Sequence, residues 1–117
     1  MSTLLAVTND LMATAPIEHA ARQLGASCRS ATAAQLDDLQ LPEPPQLVVL
    51  DLTVSSDVAS TVQAIRSVVG FEAPIVAFGP HVHEAILQAA DDAGCARVLT
   101  RGQFHRDMVS VLGEFLD

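Results

Sequence analysis

Four short apolar runs, Leu4-Leu5-Ala6-Val7, Leu47-Val48-Val49-Leu50, Pro74-Ile75-Val76-Ala77-Phe78 and Arg97-Val98-Leu99-Thr100, recur along the chain with helix-periodic stretches between them. Runs this short and this rich in β-branched residues read as strands buried on both faces, and a strand buried on both faces belongs to a parallel sheet covered by helices. The stretches between them carry the matching helical signals. Ile17, Ala20, Ala21 and Leu24 recur at helical spacing, with Pro16 placed in the first turn and Gly25 as the stop. Val58, Val62, Ile65 and Val69 form a stripe that Ser55-Ser56-Asp57 caps and Gly70 closes. Val82, Ile86, Ala89 and Ala93 mark a further helix, and Phe104, Met108, Val111, Leu112 and Phe115 the last one. A weaker, polar strand is expected over Ser27 to Arg29, and Thr32-Ala33-Ala34-Gln35 fits a capping box opening a short second helix that ends by Pro42. Five strands alternating with five helices predict an α/β unit with a doubly wound parallel sheet, joined by right-handed crossovers.

With 117 residues, half of them hydrophobic, the chain supports one core and not two, so a single domain over 1–117 is expected. Pro42-Glu43-Pro44-Pro45 is a stiff connector inside it. A net charge of -8 argues against direct binding to nucleic acid or to anionic lipid and favours a basic or apolar partner. No basic leader opens the chain and no run reaches membrane-spanning length, so a cytoplasmic location is expected. Cys28 and Cys95 are isolated, with neither metal-ligand spacing nor the density of a disulfide scaffold, and are read as reduced, partly buried thiols.

Asp51 closes the most strand-like run and so points into the crevice at the carboxyl edge of the sheet, where open α/β folds place their chemistry. Its side chain serves a charged site, caps the next turn, or pairs with Arg101. His81 and His83 follow the fourth strand on the same edge and form the one tempting metal pair, although separation by two at a helix start points them apart. No glycine fingerprint follows Val7, and Ser55 and Ser56 have no positioned base, so an enzyme is not expected.

In element order, lengths and the placement of Asp51 in Val-Val-Leu-Asp-Leu, the chain resembles the receiver domain of two-component response regulators over essentially its whole length. The resemblance implies the flavodoxin-like receiver fold with strand order 2-1-3-4-5. It makes Asp51 the candidate phosphoacceptor and puts Arg101 where the family has the lysine that senses the phosphoryl group. The acidic pair that holds metal in active receivers falls on Thr8 and Asn9, with Asp10 the nearby carboxylate. The hydroxyl residue at the end of the fourth strand falls on Gly79, and the proline after the lysine on Gly102.

Phosphoryl transfer to a carboxylate brings negative charges together and needs a cation held by oxygen ligands. Asp51 and Asp10 supply fewer carboxylates than the family uses, so no cofactor is expected, with Mg²⁺ on those two residues as the alternative. Arg101 keeps the charge but presents a planar fork, and Gly79 has no hydroxyl to follow a phosphoryl group. The expected function is a degenerate receiver-like module of signal transduction that acts through protein–protein interaction without a complete phosphorylation switch. Its contact face is the fourth helix, fifth strand and last helix, with Arg97 and His105 as outward positions, and its partner a signalling effector, a histidine kinase or a second copy. An atypical response regulator phosphorylated on Asp51 by a histidine kinase is the first alternative. A divalent-metal or small-ligand sensor using His81 and His83 is the second.

Overall fold

The computed structural model describes residues 2–54 and 56–116, leaving aside the side chain of Leu11. Five parallel strands, β1 (Thr3–Val7), β2 (Ser27–Ala31), β3 (Leu47–Asp51), β4 (Ile75–Gly79) and β5 (Arg97–Thr100), form one sheet of order β2-β1-β3-β4-β5. The α-helices are α1 (Leu11–Gln23), α2 (Val58–Val69), α3 (Glu84–Asp92) and α4 (Arg101–Gly113). This is the doubly wound, flavodoxin-like receiver architecture that the sequence implies. No described helix is long and apolar enough to cross a membrane.

Strand alternation splits the core in two. Leu4, Ala6, Leu47, Val49, Val76, Phe78 and Leu99 face α1 and α4, while Leu5, Val7, Val48, Leu50, Ile75 and Ala77 face α2 and α3. β3 and β4 are buried along their whole length, as continuous apolar runs in a central parallel sheet require. The stripes of α2 and α4 are buried at the expected positions, except that α4 ends at Gly113, so Phe115, expected on its stripe, lies in the turn beyond it and is half-buried. Asp57 caps α2 by accepting from the Ser60 N–H at 3.0 Å; Ser55, expected in the same cap, lies outside the described residues. Two hydrogen bonds from Ser60 hold the Asp57 carboxyl below the usual carboxylate range.

Four expectations need correction. β2 runs on to Ala31, beyond the Arg29 at which its polarity suggested it would end, because pairing with β1 supplies the register that its own residues do not. The second helix is a 3₁₀ helix, Ala33–Asp38, and not an α-helix: the expected capping contact is there, Gln35 Oε1 accepting from the Thr32 N–H at 2.8 Å, but Leu36 alone anchors the segment in the core. Helix α1 opens at Leu11, so Pro16 stands inside the helix and not in its first turn. Helix α3 opens at Glu84; Val82 sits in the preceding turn at 69 % exposure, and Ala90 is the buried residue of the helix. In that turn the His83 N–H reaches the Pro80 carbonyl at 3.0 Å, which holds Val82 off the core.

Candidate functional site

Thr8, Asp51, Phe78 and Arg101 stand at or just past the carboxyl ends of β1, β3, β4 and β5. Asp51 and Phe78 are partners across neighbouring strands. Thr8 and Asp51 continue the alternation that turns Ala6 and Val49 toward α1 and α4, so the topology alone brings these side chains to one crevice.

Asp51 is completely buried, and both of its oxygens are engaged. The Thr8 hydroxyl donates to Oδ2 at 2.8 Å. Oδ1 accepts from the Thr53 hydroxyl at 2.7 Å and the Thr53 N–H at 3.0 Å, closing the short 3₁₀ turn Leu52–Val54 that follows the strand. Arg101 brings its Nη2 within 3.6 Å of Oδ1, with 38 % of its side chain exposed. Its guanidinium lies over the Phe78 ring, 5.4 Å from the centroid, and Phe78 in turn stacks on Phe104 at 4.4 Å. A buried carboxylate is costly unless neutralised and hydrogen-bonded; here three donors and a guanidinium meet that demand.

The loop after β1 is equally committed. The Thr8 hydroxyl, donating to Asp51, accepts from the Asp10 N–H at 3.1 Å. Asn9 Oδ1 accepts from the Ala33 N–H at 3.2 Å, tying this loop to the 3₁₀ helix after β2. Asp10 turns its carboxylate to the N-terminus of α1, where it accepts from the Met12 N–H at 2.9 Å. Of the two residues offered for Mg²⁺, one therefore caps a helix and the other is saturated by threonines. No group of three or more His, Cys, Asp or Glu side chains poised for a metal occurs among the described residues. As arranged, the donor set does not fit a divalent cation: it offers one carboxylate, hydroxyls aimed at that carboxylate, and a guanidinium at its side.

Gly79 ends β4 against two leucines. A Cβ at this position would stand 3.2 Å from Leu52 Cβ and 3.6 Å from Leu87 Cδ2, so the turn after Asp51 and helix α3 close over the glycine. Around Gly102 the space is open. His81 and His83 are both exposed in the β4–α3 turn. Arg97 is half-buried and engages both carboxylate oxygens of Glu114 at 2.6 and 2.7 Å, while His105 is exposed on α4 with its ring edge-on to Phe78 and Phe104.

Sequence reasoning placed Asp51 and Arg101 together and offered the cap of the next turn that Oδ1 makes on the Thr53 N–H, but missed Phe78 and the bond from Thr8. The platform under Arg101 had no local signal, because cross-strand register is not written in local spacing.

No family model matches the chain, and no curated protein does. Solved structures do. A response regulator from Thermotoga maritima superposes with a TM-score of 0.80 over 98 % of this chain and 97 % of its own, at 12 % identity. The receiver domain of a sensor histidine kinase from Pseudomonas aeruginosa, which has a magnesium ion coordinated in its active-site cleft, gives 0.77 over 97 % and 96 % at 18 % identity. A response regulator receiver protein from Pseudoalteromonas atlantica gives 0.79 over 97 % and 95 % at 13 % identity. The chain thus has the fold of response-regulator receiver domains, end to end.

Proposed function

We propose that this chain is a receiver-like module of signal transduction held in one charge-neutralised state, working through contact with a protein partner and not through a phosphorylation cycle. The observation that carries the reading is the hydrogen bond from Thr8 to Asp51. A hydroxyl in the loop after β1 satisfies the buried carboxylate internally, where an acid would repel it and call for a metal ion. Thr53 occupies the second oxygen, and Arg101 supplies the positive charge. The site so arranged has its cation built in.

The face proposed for the partner is formed by α3, β5 and α4. Leu87 and Val98 floor a shallow groove there of about 330 Å³, bordered by Glu84 and Asp91, and the Arg97–Glu114 pair braces β5 against α4. The partner is a signalling effector, a histidine kinase or a second copy of the chain.

A second reading, phosphorylation of Asp51, draws on one feature. The Arg101 contact is longer than a hydrogen bond and more than a third of its side chain is exposed, so Arg101 is the least firmly held of the groups on Asp51. Intact-mass measurement after incubation with Mg²⁺ and acetyl phosphate separates the two, with a working receiver as the positive control and Asp51→Asn to assign the site. The expected result is no adduct. An adduct that disappears in Asp51→Asn would overturn the proposal and make the chain a working, atypical receiver.

A further inference from the structure

Of the four phenylalanines in this chain, Phe78 and Phe104 are wholly buried and Phe115 is half-buried, yet Phe71 is 87 % exposed. Its exposure does not come from a loose loop. Gly70, at φ +86°, turns the chain out of α2 and donates its N–H to the Arg66 carbonyl at 2.8 Å. The Arg66 guanidinium reaches forward along the chain, its Nη1 donating to the Gly70 carbonyl at 3.3 Å and to the Ala73 carbonyl. Clamped at both ends, the turn holds the ring out between two hollows. One, of about 480 Å³, is lined by Val62, Gln63, Arg66, Ser67 and Ala93; the other, of about 470 Å³, by Pro44, Pro45, Val69, Glu72 and Pro74.

The charge around this ring follows from topology. β3, β4 and β5 are neighbours in the sheet, so the segments that lead into them emerge side by side at its amino edge, opposite Asp51. Those segments carry Glu43 before β3, Glu72 before β4, and Asp91 and Asp92 before β5, all exposed. None of the four is in an ion pair among the described residues, although Asp92 accepts from Gln88 Nε2 at 3.0 Å; Arg66, the cation beside Phe71, is turned to backbone carbonyls, and Arg29 lines a separate hollow with Glu43. An exposed aromatic ring held between two partly apolar hollows, on an edge whose exposed carboxylates have no ion pair, is complementary to an apolar side chain with arginines or lysines beside it, and the exposed ring face itself attracts a cation.

We propose that the amino edge of β3–β4–β5, centred on Phe71, is a second docking surface, and that its occupant is a basic segment of a partner protein that lays an apolar residue beside Phe71. This surface is separate from the Asp51 pocket and does not depend on how that pocket works. The net charge of -8 on each copy disfavours a second copy of the chain as the occupant.

The test selects random dodecapeptides displayed on phage against the folded protein, then measures the enriched sequences as synthetic peptides. They are expected to share an apolar residue flanked by Arg or Lys, to bind more weakly as salt is raised, and to lose at least about tenfold affinity to Phe71→Ala, the size of change usual for a central aromatic anchor. The Glu43→Lys/Glu72→Lys variant is expected to lose binding as well, while Asp51→Asn retains it. Because Phe71 and both glutamates are exposed, Phe71→Ala and Glu43→Lys/Glu72→Lys should keep the wild-type circular dichroism and melting temperature. Peptides without basic residues, or peptides that bind Phe71→Ala as tightly as wild type, would overturn the proposal. So would a wild-type dimer in sedimentation that Phe71→Ala dissociates, since the patch would then belong to self-association.

Discussion

A hydroxyl at position 8 donates to Asp51; a carboxylate there can only accept, and would set a second negative charge against a buried one. Thr8→Asp is therefore expected to lose the hydrogen bond to a charged group, about 1.5–3 kcal/mol, and to add repulsion on top. Added Mg²⁺ at millimolar concentration should restore much of that loss, because two carboxylates and the backbone around them begin to make an oxygen site. The wild-type melting temperature should not respond to Mg²⁺ or to EDTA. Thermal melts of both proteins with and without the ion check this, and an equal Mg²⁺ response in wild type would show that Asp51 already takes part in a cation site. Asp51 and Arg101 could be picked out in the sequence because each ends a recognisable strand. Thr8 could be located but not understood, since a threonine after a strand says nothing about which carboxylate lies across the sheet.

At the level of elements, the strands were legible wherever burial on both faces produced an unbroken apolar run, and obscure where it did not. β2, at the sheet edge, keeps its place through pairing with β1, so its last two residues had no signature of their own. The segment after it looked helical because its capping pair is real; six residues with one buried leucine are too few to sustain α-helical packing. Val82 was credited to a helix face because its spacing from Ile86 fits, but spacing does not report where a turn ends. Helix α1 offers a measurable case. Pro16 removes the bond that an N–H at that position would make to the Met12 carbonyl, a loss that costs up to about 3 kcal/mol in a helix interior. Since Pro16 is exposed, Pro16→Ala should stabilise the protein by about 1–3 kcal/mol and raise its melting temperature by several degrees, with no change in spectrum. An unchanged or lowered melting temperature would mean that the proline fits α1 without strain.

For the whole molecule, the absence of lysine and tyrosine leaves an unusually clean alkaline range. Between about pH 9 and 12 the groups with ordinary values there are the two thiols, because the α-amino group titrates below and arginine above. Burial, reinforced by Glu18, pushes the Cys28 thiol up to about 12. Burial pushes Cys95 up to about 11, with Arg66 opposing and Asp91 assisting. The folded protein thus keeps protons that the unfolded chain gives up from about pH 9. Above that value the unfolded state binds fewer protons, so stability is full below about pH 9 and falls as pH rises toward 11 and 12. Urea midpoints taken across this range should decline in wild type and decline less in Cys28→Ala. A flat profile would show the thiols to be more open to water than their packing indicates. The meeting of Gly79 and Leu52 limits what position 79 can carry without disturbing Asp51. A side chain there would set its Cβ 3.2 Å from that of Leu52, and since a Cβ has no rotamer by which to step aside, the turn Leu52–Val54 would have to give by a few tenths of an ångström. Thr53 in that turn holds the Asp51 carboxylate, so a hydroxyl introduced at the end of β4 would announce itself at the buried acid before it touched anything else.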